Sequence, residues 1–275
     1  LLAIDSSWGE LNYWKALKQA SAPLTPYFLL AALDQRVDSA TGNIVKADPN
    51  QSIYVDIFAR TFAIGAVVTL LCLVLGFPVA YWLATLPEGK SNLLMICVLL
   101  PFWTSLIVRT AAWVVLLQSD GLINRSLMFL GLIDAPVQLV FNRTGVIIAM
   151  THVLLPFMIL PLYSVMKNIP GNYVRAAISL GAHPFVAFWR VYVPQTFAGL
   201  AAGALLTFIL AIGYYVTPAL VGGAADQMVS YFVAFYTNKT VNWGMASALG
   251  SLLLLATLLL YGVYGKLTHP NQARS

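Results

Sequence analysis

The chain has 275 residues, of which 60% are hydrophobic and only 9% are charged, and its formal net charge is +5. Soluble domains carry about 25% charged residues, so this composition excludes a soluble globular domain and indicates an integral membrane protein. Apolar runs of about 20 residues predict membrane-spanning helices. The alternating pattern of a membrane β-barrel is absent from the sequence.

Residues 1–56 precede the apolar runs and hold ten of the 25 charged residues, in mixed signs. The stretch YFLLAAL (27–33) is too short to span a bilayer. The polar stretch 40–51 is typical of turns. We therefore expect residues 1–56 to form a small extracytoplasmic segment that contains short helices.

Five apolar runs follow, and each predicts one membrane span: 58–86, 92–117, 144–168, 197–218 and 244–265. Prolines interrupt several of them, which lipid tolerates only where neighbouring groups satisfy the freed carbonyls. Glycines in the fourth run would allow helices to approach closely. The pattern predicts a packed transmembrane domain over 57–268, followed by a short tail, 269–275. The prolines concerned are Pro78, Pro101, Pro156 and Pro161, and the glycines are Gly199, Gly203 and Gly213.

The two cysteines, Cys72 and Cys97, both lie inside apolar runs. We expect them to lie at different depths in the membrane, so the sequence favours two buried thiols over a disulfide or a metal pair.

The distribution of basic residues predicts the orientation. The 87–91 loop, the 167–195 loop and the C-terminus together hold six basic residues and one acid, whereas the rest of the chain holds nine of each. Because cytoplasmic loops are enriched in Lys and Arg, these three segments are expected inside the cell. Residues 1–56, 118–143 and 219–243 are then expected outside.

The segment NYVRAAISLGAHPFVAFWRVYVP (172–194) lies between the third and fourth spans. It predicts a helix over 173–180 that is capped by Asn172 and closed by Gly181 in a left-handed conformation. Pro184 suits the first turn of a second helix over 185–191, and we expect Pro194 to end that helix. Since no side chain here is chemically reactive, a rigid mechanical contact is the favoured interpretation.

The same segment resembles the EAA loop of ABC-importer permeases, whose pattern is Glu-Ala-Ala, three residues, Gly, nine residues and Ile-x-Leu-Pro. Ala176, Ala177, Gly181 and Pro194 match that pattern, whereas Arg175 stands where the family has Glu. The resemblance implies that this loop (170–195) docks in a groove of an ATPase subunit. The residues it assigns to coupling are Arg175, Ala176, Ala177, Gly181, Ala182, His183, Pro184 and Pro194.

Four other stretches resemble spermidine/putrescine-type permeases: LPFWTSLIVRTAAW (100–113), GLINRSLMFLGLID (121–134), VLLPFMILPLYSVMKNIP (153–170) and NWGMASALG (242–250). The resemblance covers about residues 55–265. It implies an all-α type I importer permease in the bacterial inner membrane, with its C-terminus in the cytoplasm. Family members usually have six spans, so one more is expected before Leu1.

The resemblance also implies partners. The sequence has no phosphate-binding loop of the G-x-x-x-x-G-K-[ST] type, so ATP and Mg²⁺ are expected on two cytoplasmic ATPase subunits, with no enzymatic activity, cofactor or metal on this chain. A second permease, most simply a homologous one, is expected in the membrane, and a substrate-binding protein outside. No nucleic-acid partner is expected.

Arg109 and His152 are candidates for the substrate pathway or its gate. A charge inside a span is costly and usually faces the bundle interior or water. Arg109 could instead reach the headgroups or bind a backbone carbonyl, and a structural or gate role is favoured over contact with the solute. His152 could line the pathway or be a satisfied packing residue.

Tyr214, Tyr215 and Thr217 cluster near the outer end of the fourth predicted span, and Trp103 completes the set of pathway candidates. Aromatic faces can hold a cationic amine, although tyrosines also form interfacial belts. No span core contains Asp or Glu. An acid would favour a polyamine, so its absence leaves two solute classes open: a polyamine or related amine, or an amino-acid derivative, an opine or an organophosphonate, for which Arg109 would be useful.

Three other classes remain as alternatives. An ATP-independent secondary transporter or channel would be expected to carry acids inside its spans or inverted repeats, and neither is evident. A non-transporting anchor does not explain the proline-broken helices or the 172–194 segment. A membrane enzyme would need a nucleophile–base or ligand cluster.

Overall fold

A computed structural model describes residues 26–38, 41–49 and 52–268, together with Gly9, Tyr13, Trp14 and Leu17 singly. The rest of residues 1–25 and the predicted tail, 269–275, lie outside the described residues. The chain divides into two compact units. One contains the residues up to Thr61 together with Met228–Leu255, and the other contains Phe62–Gln227 and the residues from Ala256 onward.

The described elements are almost all helical. In chain order they are α1 (Tyr27–Ala32), β1 (Gln35–Val37), β2 (Ile44–Lys46), α2 (Tyr54–Thr85), α3 (Glu88–Leu99), a 3₁₀ turn (Leu100–Trp103), α4 (Leu106–Leu117), α5 (Leu122–Phe129), α6 (Arg143–Lys167), α7 (Asn172–Ser179), α8 (Pro184–Ala187), a π-helical turn (Phe188–Tyr192), α9 (Val193–Gln195), α10 (Phe197–Gly213), α11 (Val216–Val221), a second 3₁₀ turn (Ala224–Asp226), α12 (Val229–Asn238) and α13 (Trp243–Thr268).

Within the described residues, four helical stretches are long and apolar enough to cross a membrane: Tyr54–Thr85, Leu106–Phe129, Arg143–Lys167 and Trp243–Lys266. A fifth is obtained if Pro184–Gln195 and Phe197–Gly213, which meet at a bend of 60°, form one span. The all-helical membrane fold predicted from composition is therefore confirmed.

Two of the predicted spans are broken. The interruption expected at Pro101 is present, whereas those expected at Pro78, Pro156 and Pro161 are wrong, because α2 and α6 run unbroken through these prolines. The run 92–117 forms α3, the 3₁₀ turn and α4, and Thr104 and Ser105 are non-helical. Pro101 explains why α3 ends at Leu99, because it has no N–H donor with which to continue the α-helical hydrogen bonds. The run 197–218 likewise stops at Gly213, where Tyr214 is extended before α11 begins.

Helices α6 and α10 form the centre of the second unit. A Cβ atom added at Gly199 would lie 2.9 Å from Val165, and one added at Gly203 would lie 3.0 Å from the sulfur of Met158. The prediction that glycines allow close helix approach is therefore confirmed at these two positions. It is wrong for Gly213, where nothing lies within 4 Å of an added Cβ atom.

In the first unit, β1 and β2 pair antiparallel, with Arg36 opposite Val45. The prediction of turns throughout 40–51 is therefore wrong for 44–46. The hairpin follows α1, which is short, as predicted. An apolar cluster that α1 shares with α2, α12 and α13 consists of the buried residues Ala32, Ile57, Val229, Met245, Ala248 and Leu249.

Asp34 fastens the hairpin to the start of α2. Its side chain is only 6% exposed, and its carboxylate oxygens accept hydrogen bonds from the backbone N–H groups of Ile53 (3.0 Å), Tyr54 (3.0 Å) and Val55 (2.7 Å). These donors have no partner inside the helix, and a negative charge is favourable at a helix N-terminus. Asp34 therefore caps the first membrane helix from a distant point in the chain.

Replacing Asp34 with Ala should lower the free energy of unfolding by about 2 kcal/mol, because three buried donors lose a charged acceptor. The measurement is thermal unfolding in detergent, followed by tryptophan fluorescence. Asp48→Ala is the control. It breaks an ion pair with Arg36 whose side chains are 52% and 56% exposed, so it should cost less than about 1 kcal/mol. Equal losses in both variants would contradict the capping role.

Candidate functional site

The segment 172–194 forms two short helices joined by a tight turn. Gly181 has a φ of +93°, its N–H donates to the carbonyl of Ile178 (2.9 Å), and the N–H of Ala182 donates to the carbonyl of Ala177 (3.1 Å). These two bonds define a Schellman motif. The predicted left-handed conformation of Gly181 is therefore confirmed.

The prediction that Asn172 caps the first helix is wrong. Helix α7 already begins at Asn172, and Gly171, whose backbone is helical, occupies the capping position without a side-chain bond. The second helix starts as predicted, with Pro184 in its first turn. His183 caps it, because its Nδ1 atom accepts a hydrogen bond from the N–H of Phe185 (3.3 Å).

Pro194 does not end the second helix. Helix α8 continues through the π-helical turn into α9, and Pro194 lies in the first turn of α9. The π-helical turn ends at Tyr192, two residues before this proline, and the helical run ends one residue after it, at Gln195. The chain then bends by 60° into α10, so the segment leads directly into the fourth span.

The surface of the segment is open. Helix α7 has no buried residue, and Arg175 and Ala176 are exposed whereas Ala177 is half-buried. Leu180 at the turn is 89% exposed, and Phe185 is also exposed. Small side chains along the helix and an apolar tip provide a surface that a complementary groove could cover.

The segment is joined to α2 by four aromatic residues, here termed the aromatic cluster: Phe77, Tyr81, Phe188 and Tyr192. The ring of Phe188 lies edge-on to that of Tyr81 (5.3 Å between centroids) and stacks on that of Tyr192 (5.6 Å). Tyr81 and Tyr192 are 5.2 Å apart, and Phe77 and Phe188 are 6.5 Å apart. A displacement of the segment therefore acts directly on the predicted cytoplasmic end of α2.

Arg109 closes the break between the 3₁₀ turn and α4. Its guanidinium donates to the carbonyl oxygens of Pro101 and Thr104 (3.0 Å to the latter), and its Nε donates to the hydroxyl of Thr104 (3.3 Å). The carbonyl of Pro101 also accepts from the N–H (3.3 Å) and the hydroxyl (2.8 Å) of Thr104, so Arg109 adds a charged donor to a bonded turn. Of the two roles open to Arg109, the contacts favour the structural one.

Two polar pairs join the broken spans to their neighbours. The hydroxyls of Thr110 and Thr217 are 3.2 Å apart and both residues are fully buried. Since Thr110 donates to the carbonyl of Leu106, Thr217 is the donor to Thr110. The indole N–H of Trp113 donates to Nδ1 of His152 (3.2 Å), so this histidine has a packing partner.

The structure brings some of the pathway candidates together. Thr217 bonds to Thr110, which follows Arg109 in α4, and His152 bonds to Trp113, one turn further along the same helix. Trp103, which is 91% exposed, and Tyr215, which is also exposed, lie on the surface of the chain. Over residues 26–38, 41–49 and 52–268, no group of three or more His, Cys, Asp or Glu residues could hold a metal ion.

The site thus combines apolar spans, two of them broken, with an exposed helix pair that packs on α2. The family described as "Binding-protein-dependent transport system inner membrane component" matches residues 76–269, which is more than half of the chain. The chain therefore belongs to this family of importer permeases, and the resemblance seen in the EAA-type segment is confirmed.

Curated relatives agree. The chain is 32% identical over 212 residues to the "Spermidine/putrescine transport system permease protein PotB" of Escherichia coli (strain K12), covering 77% of each chain. It is 34% identical to the "Inner membrane ABC transporter permease protein YdcU" of the same organism, covering 61% of this chain and 57% of that one.

Among solved structures, the fold is similar to a chain of a bacterial ABC transporter involved in the import of the acidic polysaccharide alginate. The TM-score is 0.66 at 13% identity, and the match covers 99% of this chain and 94% of the other. This likeness shows the fold.

Replacing Phe188 with Ala should reduce the solute moved per ATP by about fivefold, because an aromatic contact worth about 1 kcal/mol between the segment and α2 is lost. The measurement is transport and ATP hydrolysis by the reconstituted transporter. Phe62→Ala is the control, since it removes a comparable ring pair with Phe208 (6.1 Å) outside the segment. An equal ratio of transport to hydrolysis in wild type and Phe188→Ala would contradict the linkage.

Replacing Arg109 with Ala should lower the free energy of unfolding by about 2 kcal/mol, because a charged donor is lost to two carbonyls. Arg109→Lys should restore only part of it, since an ammonium group lacks the planar fork of donors. Measurements of thermal unfolding and of the KM for transport distinguish a structural role of Arg109 from contact with the solute. An unchanged melting temperature with an altered KM would show that Arg109 contacts the solute instead.

Proposed function

We propose that this permease carries a small cationic solute, a polyamine or a related amine, and that ATP-driven motion reaches it through the segment 172–194. The observation that carries the proposal is the joint between that segment and α2: a Schellman turn at Gly181 makes the segment stiff, and the aromatic cluster attaches it to a span. A stiff, exposed and attached helix pair is suited to transmit force from a partner.

In this proposal ATP and Mg²⁺ are bound by two cytoplasmic ATPase subunits, and this chain hydrolyses nothing. Closure of the ATPases moves Arg175, Ala176 and the exposed tip at Leu180. Phe188 passes that displacement to Tyr81, so α2 tilts with the segment. The breaks at Pro101 and after Gly213 are the points at which neighbouring spans adjust.

The cationic solute is supported by what Arg109 does. An anionic solute would require a free guanidinium, whereas the donors of Arg109 already bind the carbonyls of Pro101 and Thr104. The half-buried ring of Tyr214 could instead face an amine. The name of the PotB relatives, which transport spermidine and putrescine, supports the same solute class.

The remaining assembly follows the family. We propose a second, homologous permease in the same membrane and a substrate-binding protein that approaches residues 1–56 from outside. The transmembrane domain is 57–268, and the C-terminal tail, 269–275, lies in the cytoplasm. The charge bias of the loops supports this orientation. The test is to place a cysteine in the tail and to treat intact cells with an impermeant thiol reagent. Reaction of that cysteine from outside would contradict the cytoplasmic placement of the tail.

Replacing Gly181 with Ala, or more severely with Val, should leave ATP hydrolysis but reduce transport, because a left-handed backbone costs a residue with a Cβ atom about 1–2 kcal/mol and the turn would rearrange. Gly171→Ala is a matched control. Both glycines have open space around an added Cβ atom, but only Gly181 has a positive φ.

The readout is amine uptake per ATP by the transporter reconstituted with its partners. Loss of coupling in Gly181→Ala alone supports the proposal. Normal coupling in both variants, or uptake by this chain without an ATPase, would contradict it.

A further inference from the structure

A cavity of about 320 Å³ lies between α2, α3 and α6, all within the second unit. Each of its lining residues falls inside a predicted span, so it opens at the depth of the lipid hydrocarbon. Except for Cys97 and His152, the walls are apolar. The lining residues are Val79, Trp82, Leu83, Leu94, Cys97, Val98, Pro101, His152, Leu155, Pro156 and Ile159.

The chemistry of the walls limits what can occupy the cavity. The Nδ1 atom of His152 already accepts from the indole of Trp113, and none of the lining residues carries a formal charge. A polar solute would lose its hydration there without gaining equivalent hydrogen bonds. The occupant must therefore present an apolar chain.

Helix α3 extends this cavity to a charged end. Leu94, Cys97, Val98 and Pro101 recur at the spacing of one helical face, and Lys90 lies on the same face, four residues before Leu94. Lys90 is exposed and belongs to the loop expected in the cytoplasm. From Lys90 to Pro101 the rise is about 17 Å, close to the roughly 15 Å thickness of one hydrocarbon leaflet.

We propose that this cavity binds one acyl chain of a phospholipid from the cytoplasmic leaflet, with the phosphate of that lipid against Lys90. An apolar cavity with a cation one helical turn beyond its lining on α3 matches this molecule in charge, and the distance from Lys90 to Pro101 matches one leaflet. The lipid would support the walls at Pro101, where the helical run is interrupted, and at Pro156, which lacks a backbone donor within α6. This proposal requires that Lys90 lies on the cytoplasmic side of the membrane, but it does not depend on which solute is transported. The lipid site and the proposed solute can therefore be disproved separately.

The first test uses the complete transporter, purified in mild detergent and analysed by native mass spectrometry. Leu94→Trp fills the cavity, whereas Leu93→Trp places the same ring on the neighbouring position, which is 64% exposed and lines no part of it. Wild type and Leu93→Trp should retain a phospholipid that Leu94→Trp lacks. With added phosphatidylglycerol, Lys90→Gln should bind about fivefold more weakly. Equal lipid content in all variants would overturn the proposal.

The second test does not depend on a cavity-filling variant. Cys72 is buried whereas Cys97 is exposed on the cavity, so N-ethylmaleimide should label Cys97, with Cys97→Ser as the unlabelled control. In delipidated transporter, phosphatidylglycerol should slow this labelling. A labelling rate of Cys97 that phosphatidylglycerol does not change would overturn the proposal. So would a Cys97 that is shielded in the assembled transporter with or without lipid, since a second permease would then cover the cavity.

Discussion

A membrane helix can be broken only where something other than water satisfies its backbone, and this constraint determines how the permease is built. Pro101 ends one helical segment in the middle of an apolar run, and the guanidinium of Arg109 binds the carbonyls left at that break. Thr104 also bonds to the carbonyl of Pro101, and Arg109 supplies a donor to the carbonyl of Thr104, since lipid offers none. The costly charge in the span is thus explained by the broken backbone beside it.

The clamped breaks divide the spans into stiff pieces joined at a few points. Thr110 and Thr217 tie the two broken spans together through buried hydroxyls. Helices α6 and α10 pack closely at Gly199 and Gly203, which leaves little freedom between them. Motion is then concentrated at the breaks and at the aromatic cluster. That arrangement suits a membrane domain that a partner protein moves from its surface.

Sequence reasoning succeeded where the signal was local. The left-handed turn at Gly181 follows from helix-ending patterns, and the spacing of Ala176, Ala177 and Gly181 was enough to indicate the family. The interruption expected at Pro101 is present, but those expected at Pro78, Pro156 and Pro161 were wrong, because sequence alone does not tell which prolines a packed helix accommodates. The expected burial of Cys97 was wrong for a similar reason, since hydropathy cannot tell a lipid-facing position from a packed one.

Contacts between distant parts of the chain could not be predicted. Asp34 caps a helix whose first N–H groups lie 19 to 21 residues further on, and nothing in a turn sequence identifies that partner. The packing of Tyr81 on Phe188 is a second such contact. The sequence does contain one indication of this contact. Phe77 and Tyr81 are four residues apart, as are Phe188 and Tyr192, and this spacing places each pair on one helical face.

The central claim is that the segment moves α2 through the contact between Phe188 and Tyr81, and a double-mutant cycle tests it most directly. Solute moved per ATP would be measured for Phe188→Ala, Tyr81→Ala and the double variant in the reconstituted transporter. If the two rings act as one joint, the double variant is no more impaired than the worse single variant. If the losses multiply, the two residues act independently and the segment must drive the bundle by another route.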